Sequence, residues 1–305
     1  MSYPRINNIV GWIVFGIALI TYGLTMSPTA SFWDCGEFIA CANELEVTHP
    51  PGAPLFLLLG RIFAMFSMGD PLKVAFMVNL ISVLSGAFTA LFTCWATAML
   101  ARKGLDRAGT EESVATILSQ AAGVVAGLAC TFADSVWFNA VEAEVYGLSS
   151  FFTAIVVWLI LKWEARADEP GNERWIVLIA YLMGLSIGVH LLNLLTIPAL
   201  ALVYYYRRFT FSWPGLLAAM GIAVAVLFFV QYGIIQYTFS IAWSFEKFFT
   251  GTLTRAGSGA SGLGLPFGTG AAIFALLLIG TTAGLIWYSI RRRLTGLNTA
   301  MMAFL

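Results

Sequence analysis

The sequence predicts an all-α polytopic membrane protein, and three observations carry the prediction. Of the 305 residues, 59% are hydrophobic and only 10% are charged, against about 25% charged in soluble domains. So few polar side chains cannot cover a surface that faces water. Apolar runs of the roughly 20 residues needed to cross a bilayer as a helix recur along the chain. The basic residues collect in alternate connections, as they do in cytoplasmic loops. The formal net charge is zero, so no basic field invites nucleic acid. Cys35, Cys41, Cys94 and Cys130 show no C-x-x-C spacing, which removes the common zinc and redox patterns.

Clear spans lie at 9–25, 72–100, 114–133, 147–163, 212–237 and 268–290. The first could also serve as a cleaved signal segment, without changing the rest. Two further stretches, 53–68 and 175–206, are settled by charge. With Arg5 inside, the connection at 26–54 is outside and carries no Lys or Arg, whereas 101–112 carries Arg102, Lys103 and Arg107. One crossing separates them, so 53–68 is expected to lie along the outer interface as an amphipathic helix. Residues 175–206 are flanked by Lys162, Arg166 and Arg174 before and by Arg207 and Arg208 after. Both flanks read as cytoplasmic, so the stretch is expected to cross twice, as a hairpin of two short helices with His190 near its outer turn. The result is about eight spans in a single domain over 1–305. Arg61, Lys73, Lys247 and Arg255 remain outside, which leaves twelve of the sixteen basic residues inside. The chain stops just past Arg291, Arg292 and Arg293, as the front part of a longer protein would.

Polar groups gather on the outer side. The first outer connection, 27–70, opens with SPTASFWDCGEFIACANELEVTHPPGAP, and the one before the fourth span reads ADSVWFNAVEAEVYG. Ionisable groups at a membrane are costly and are functional suspects. Asp34 and Glu37 are three apart and share one helical face, about 5–6 Å between Cβ atoms. The structural alternative makes Ser31 an N-cap with Asp34 at N3, which accounts for Asp34 and leaves Glu37 unexplained. His49-Pro50-Pro51-Gly52 is expected to end this helix, and Pro54 to open the next. Asp70-Pro71 reads as N-cap and N1 of the second span. Glu142 and Glu144 suit the dipole at the start of the fourth span, yet two acids beside Trp137 and Tyr146 also make a site candidate. His190, in an apolar hairpin, is equally a structural histidine or a ligand. Gly184 and Gly188 form a small-xxx-small pair suited to close packing. Lys247 and Arg255 flank a glycine-rich stretch that could grip a lipid phosphate or merely connect two spans.

At these residues the chain resembles a known family. WDCGEFIACANELEVTHPPGAPLFLLLGRIF is similar to a D-x-G-E … H-P-P-G-x-P-L signature. VNLISVLSGAFTALF, FADSVWFNAVEAEVYGLSSFF and YLMGLSIGVHLLNLLTIPAL resemble the blocks that follow it, in the same order. The family is the transmembrane protein O-mannosyltransferase-like group of the GT-C glycosyltransferase class, long described in bacteria as a domain of unknown function. The resemblance covers roughly 5–210; residues 211–305 match in general character only. Ala53 stands where a larger aromatic is common, and Cys35 where a small hydroxyl residue is usual.

The resemblance implies a GT-C-like bundle with interfacial helices in the first outer loop and an essential acid there. It also implies a polyprenyl-phosphate sugar donor, with mannose expected, and a Ser or Thr hydroxyl of an exported protein as acceptor. On that basis Asp34 is the expected general base and Glu37 its catalytic companion, with inversion at the sugar. His49, Glu142, Glu144, Tyr146, His190 and Arg255 are the expected substrate-binding residues. No metal and no cofactor is expected, and the setting is a bacterial inner membrane with the site on its periplasmic face. Two other classes remain open. A lipid or solute transporter or flippase would place ionisable groups near the midplane on broken helices. A nonenzymatic scaffold would tolerate loss of Asp34, Glu37 and Glu142 together.

Overall fold

The computed structural model describes residues 2–251 and 262–294. These residues are helical with loops and contain no strand. They divide into two compact units: Met1–Trp175 with Leu182–Thr196, and Ile176–Tyr181 with Ile197–Leu305.

The first unit is built on four long helices, α1 (Tyr3–Thr25), α4 (Pro71–Arg107), α5 (Glu112–Phe132) and α7 (Val145–Ala165). Each is long and apolar enough to cross a membrane. Between them lie α2 (Cys35–Glu44), α3 (Pro54–Met65) and α6 (Asp134–Ala140). The 37 residues of α4 span about 55 Å at 1.5 Å per residue, and the other three pack against it. Its start is fixed as expected: Asp70 accepts from the Leu72 amide at 3.0 Å, and Pro71 occupies the first turn.

Small residues let these helices approach. A Cβ on Gly127 of α5 would lie 2.8 Å from Val14 Cγ1 and 3.0 Å from Cys94 Cβ, the close backbone approach that glycine permits. Val14, Ala18 and Tyr22 pack on Val83, Ala87, Ala90 and Cys94, and the Tyr22 hydroxyl donates to the Thr131 carbonyl at 2.9 Å. Phe88, Phe92, Trp95, Phe151 and Trp158 form an aromatic seam between α4 and α7. Ser85 and Thr89 return their hydroxyls to the carbonyls of Ile81 and Ser85, so these polar groups need no water inside the bundle. At one end Arg102 pairs with Asp106 and Glu112, and Lys103 with Glu164.

Length bears differently on the two ambiguous stretches. Residues 53–68 contain the 12-residue α3, too short to span and consistent with the interfacial placement. Residues 175–206 contain α8 (Glu173–Ile187), a 3₁₀ segment (Leu191–Thr196) and α9 (Ile197–Arg208). At 15 and 12 residues, these helices fall below an ordinary span. Length alone therefore gives six crossing helices among the described residues, all at the six clear positions. The count of about eight depends on that short hairpin.

In the second unit, α10 (Trp213–Phe228) continues through a π-helical segment (Phe229–Gln236) into α11 (Tyr237–Thr250), and α12 (Thr269–Arg292) returns. Glu246 of α11 is buried and caps α12, accepting from the amides of Gly268 at 2.6 Å and Ala271 at 2.8 Å. The first amides of a helix have no intrahelical partner, so this carboxylate replaces an ordinary N-cap. Glu246→Ala should destabilise the protein by about 1–2 kcal/mol, the usual worth of a cap; a lowered melting temperature in detergent checks it.

Candidate functional site

All the connections at one end of the first unit meet: the end of α1, the helices α2 and α3, the start of α4, α6 and the start of α7. The link between α1 and α2 is tied down by Asn79, buried on α4, which donates to the carbonyls of Ser27 at 2.7 Å and Thr29 at 3.2 Å. The Ser27 amide donates to the Val141 carbonyl at 2.9 Å. The segment carrying Asp34 is thereby fixed on both sides.

Asp34 is the N-cap position of α2 itself, with no side-chain capping bond. Ser31 therefore is not the cap that the capping-box alternative required. Its hydroxyl donates instead to Glu142 Oε2 at 2.6 Å, across 111 residues of chain. The helix ends at Glu44, with Leu45 in the left-handed region (φ 57°), rather than at His49-Pro50 as expected. A left-handed residue closes a helix locally, and the freed chain 45–49 then folds back over α2.

That return brings His49 onto the acids. The His49 amide donates to Glu37 Oε1 at 2.6 Å, and its ring Nδ1 lies 2.9 Å from Glu37 Oε2. The other ring nitrogen, Nε2, lies 4.0 Å from Asp34 Oδ2. The shared helical face of Asp34 and Glu37 is thus used, with one imidazole spanning both. The His49 ring and amide hydrogen bonds hold the Glu37 carboxyl below the usual carboxylate range. The same bond to Glu37 pushes His49 up, because an adjacent carboxylate favours imidazolium. Asp34, Glu37 and His49 remain substantially open to solvent.

Beneath this trio lie the two other acids. Glu142 and Glu144 are buried, at 3% and 6% exposure. Cys35, fully buried, places its thiol 3.8 Å from Glu144 Oε1. Burial pushes the Cys35 thiol up to about 12, with the Glu142 and Glu144 carboxylates adding to it. Burial likewise raises Glu144. Glu142 keeps one oxygen, Oε1, buried without a hydrogen-bond partner. Glu144 is the N-cap residue of α7, as its position suggested, while Glu142 lies outside any cap.

Tyr146 and His190 come together, ring centroids 5.0 Å apart and tilted by 54°. His190 sits just after α8, its pKa lowered by burial, and its Nδ1 accepts from the Leu192 amide at 3.2 Å. The Gly188 carbonyl accepts from the Leu55 amide at 2.7 Å, and a Cβ on Gly188 would lie 3.1 Å from Leu55 Cβ. Gly188 therefore serves packing against the start of α3 from the C-cap position of α8.

Other residues singled out in the sequence have structural tasks. Trp137 donates from its indole to Thr25 Oγ1 at 2.9 Å and packs on Tyr22 and Phe132. Arg61 donates to the Asn43 carbonyl near the end of α2. Lys73 pairs with Asp70 at 3.1 Å. Ala53, one of the two departures from the family pattern, is buried beside the core of Phe38 and Phe56. Arg255 lies outside the described residues, and Lys247 is in the second unit. Sequence reasoning misses Ser31, Cys35 and Asn79 as members of the site. Asn79 does carry a signal, being an amide inside an apolar run.

A family model, described as the protein O-mannosyl-transferase TMEM260 N-terminal domain, matches residues 34–213, more than half of the chain. The match begins at Asp34 and contains every candidate above except Ser31, Lys247 and Arg255. Among curated proteins, protein O-mannosyl-transferase tmem260 of Dictyostelium discoideum is 26% identical over 231 residues, covering 74% of this chain and 26% of that protein. Protein O-mannosyl-transferase TMEM260 of Mus musculus is 29% identical over 175 residues, covering 57% of this chain and 22% of that protein. The chain thus spans about a quarter of the length of these relatives. No solved structure matches it. This chain, an all-α polytopic membrane protein with an acid–histidine cluster at one end of its bundle, belongs to the TMEM260 N-terminal domain family.

Proposed function

We propose that this chain is the membrane catalytic part of a GT-C-type O-mannosyltransferase, acting at the outer face of a bacterial inner membrane. The donor is a polyprenyl-phosphate mannose and the acceptor a Ser or Thr hydroxyl of an exported protein. The reading is carried by one observation: Asp34, Glu37 and His49 converge in the open, at one end of the bundle, in a chain whose relatives are named protein O-mannosyl-transferases.

In this mechanism Asp34 takes the acceptor hydroxyl proton. The oxygen attacks the anomeric carbon, the bond from that carbon to the phosphate oxygen breaks, and the lipid phosphate leaves from the opposite face with inversion. A carboxylate suits the step because the proton departs as the new bond forms. Asp34 is open to an incoming chain, and His49 Nε2, 4.0 Å away, fixes its surroundings. Glu37 holds His49 through two contacts and so acts as a positioning residue. Tyr146 and His190 offer an aromatic face for the sugar ring, with Glu144 two residues before Tyr146 to accept from sugar hydroxyls. Charge developing on the leaving phosphate needs cations or donors, and Arg255, Lys247, Arg61 and His190 are the sequence candidates.

A transporter or flippase is disfavoured by where the acids lie: the cluster sits in the connections at the bundle end, and the polar side chains buried within the crossing helices of the first unit are uncharged. Incubation of the purified protein in detergent or nanodiscs with radiolabelled polyprenyl-phosphate mannose and a Ser/Thr peptide tests the reading. Labelled peptide is the expected product; no transfer to any peptide or to a folded exported domain, with the protein well folded, overturns it.

A further inference from the structure

We propose that Asp34, Glu37 and His49 hold a divalent metal ion of the Mn²⁺ or Zn²⁺ class, with positions left open toward the outer solution. The proposal departs from the metal-free expectation that the family resemblance carried.

The first support is geometric. One ligand atom from each of the three side chains can be chosen so that all lie within 4.8 Å of one another. Around an ion with metal–ligand bonds of about 2.0–2.2 Å, neighbouring donor atoms stand about 3 Å apart. The 2.9 Å spacing of His49 Nδ1 and Glu37 Oε2 already matches. The Asp34 side chain is 54% exposed and makes no capping bond on α2, so no such bond holds it away from the other two. Asp34 and Glu37 are held one helical turn apart on α2, and His49 is anchored by its own amide on Glu37. The donor set is therefore fixed by main chain rather than gathered by chance.

The second support is the balance of charge around it. Glu142 and Glu144 lie buried against the Ser31–Cys35 stretch that leads into the cluster: Ser31 donates to Glu142, and Cys35 contacts Glu144. Buried charge is costly unless paired. Among the described residues the basic groups near this end are engaged elsewhere, Arg61 on the Asn43 carbonyl and Lys73 on Asp70. Glu142 Oε1 remains buried and unpartnered. Asp34, Glu37 and Glu144 thus act on the one imidazole. A bound cation offsets that excess directly for Asp34 and Glu37.

The donor chemistry selects the ion. Carboxylates alone suit Mg²⁺ or Ca²⁺, whereas an imidazole shifts preference toward first-row transition ions. What the ion does rests on the transferase reading: it supplies the positive charge for the lipid phosphate. Whether it binds does not rest on that reading. An Asp34 carboxylate bound through one oxygen keeps the other for the acceptor proton.

Electron paramagnetic resonance of Mn²⁺ added to the detergent-purified, chelator-treated protein tests the site, with Zn²⁺ as competitor. One Mn²⁺ per chain is expected, displaced by Zn²⁺ at one equivalent. Glu37→Gln and His49→Ala should each weaken binding at least tenfold. Glu46→Gln, an exposed acid outside the cluster, should leave it unchanged and serves as the folded control. No binding below millimolar Mn²⁺, or equal binding by all the variants, overturns the proposal. The transfer assay is read separately: Mn²⁺ binding without mannose transfer leaves the site standing and removes the transferase reading. Undiminished transfer in chelator, with no Mn²⁺ bound, removes only the metal.

Discussion

Asp34→Asn is expected to lower mannose transfer by about 10²–10⁴-fold, the usual contribution of a positioned general base. The substitution keeps size and shape and removes the carboxylate that accepts the proton, together with one ligand of the proposed ion. It should not disturb the fold, because the Asp34 side chain makes no capping bond on α2 and lies largely in solvent. The loss should therefore fall on turnover rather than on peptide binding, with the melting temperature close to that of the parent. Initial rates with labelled donor, taken beside a thermal melt of the same preparation, decide the matter. A rate within a few-fold of the parent would show that another group takes the proton.

The next largest effect is expected from Gly60→Val, a residue that touches no substrate. Gly60 lies on α3, and a Cβ placed there would stand 2.6 Å from Ala42 Cβ on α2. Ordinary contacts between such carbons are about 3.5–4.0 Å, so valine must push the two helices apart by roughly 1 Å. Small-to-large changes of this sort cost about 1–3 kcal/mol. Since α2 carries Asp34 at its N-cap and Glu37 in its first turn, the shift also misplaces the reacting groups. A displacement of about 1 Å at a reacting centre can cost about 10²-fold in rate. Both a lower melting temperature and reduced transfer are expected. The double substitution Ala42→Gly with Gly60→Ala moves the methyl group to the facing helix and should recover most of both. If Gly60→Val leaves melting and rate unchanged, the α2–α3 contact does not set the geometry of the site.

The two outcomes separate different kinds of damage. Asp34→Asn removes chemistry and spares structure; Gly60→Val disturbs structure and reaches chemistry through it. Glu246→Ala, in the second unit, should do neither to the Asp34 cluster directly, because its carboxylate is spent on the amides of α12.

Local features of the site are legible in the amino-acid sequence. The three-residue spacing of Asp34 and Glu37 puts both on one face, and both do meet His49. Asp70 and Pro71 start α4, and Pro54 starts α3, as their side chains require. The end of α2 is not legible in the same way. Proline is a strong stop signal, while a non-glycine residue at φ 57°, Leu45, leaves no mark in the sequence. The partner of Ser31 escapes for a related reason. Its hydroxyl could satisfy a local amide or a distant carboxylate, and the tertiary fold supplies Glu142.

By itself the sequence determined the solvent, the number and position of the six long apolar helices, and the end of the bundle where acids gather. Those properties follow from composition, from runs of about 20 apolar residues and from rules that reach one helical turn. Only the tertiary structure decided which groups meet. Ser31 with Glu142, Cys35 with Glu144, and Tyr146 with His190 are joined across more than forty residues of chain. Such pairings depend on how α2 and α7 dock against α4, which is set by close packing of small and aromatic side chains over the whole bundle and not by any spacing along the chain.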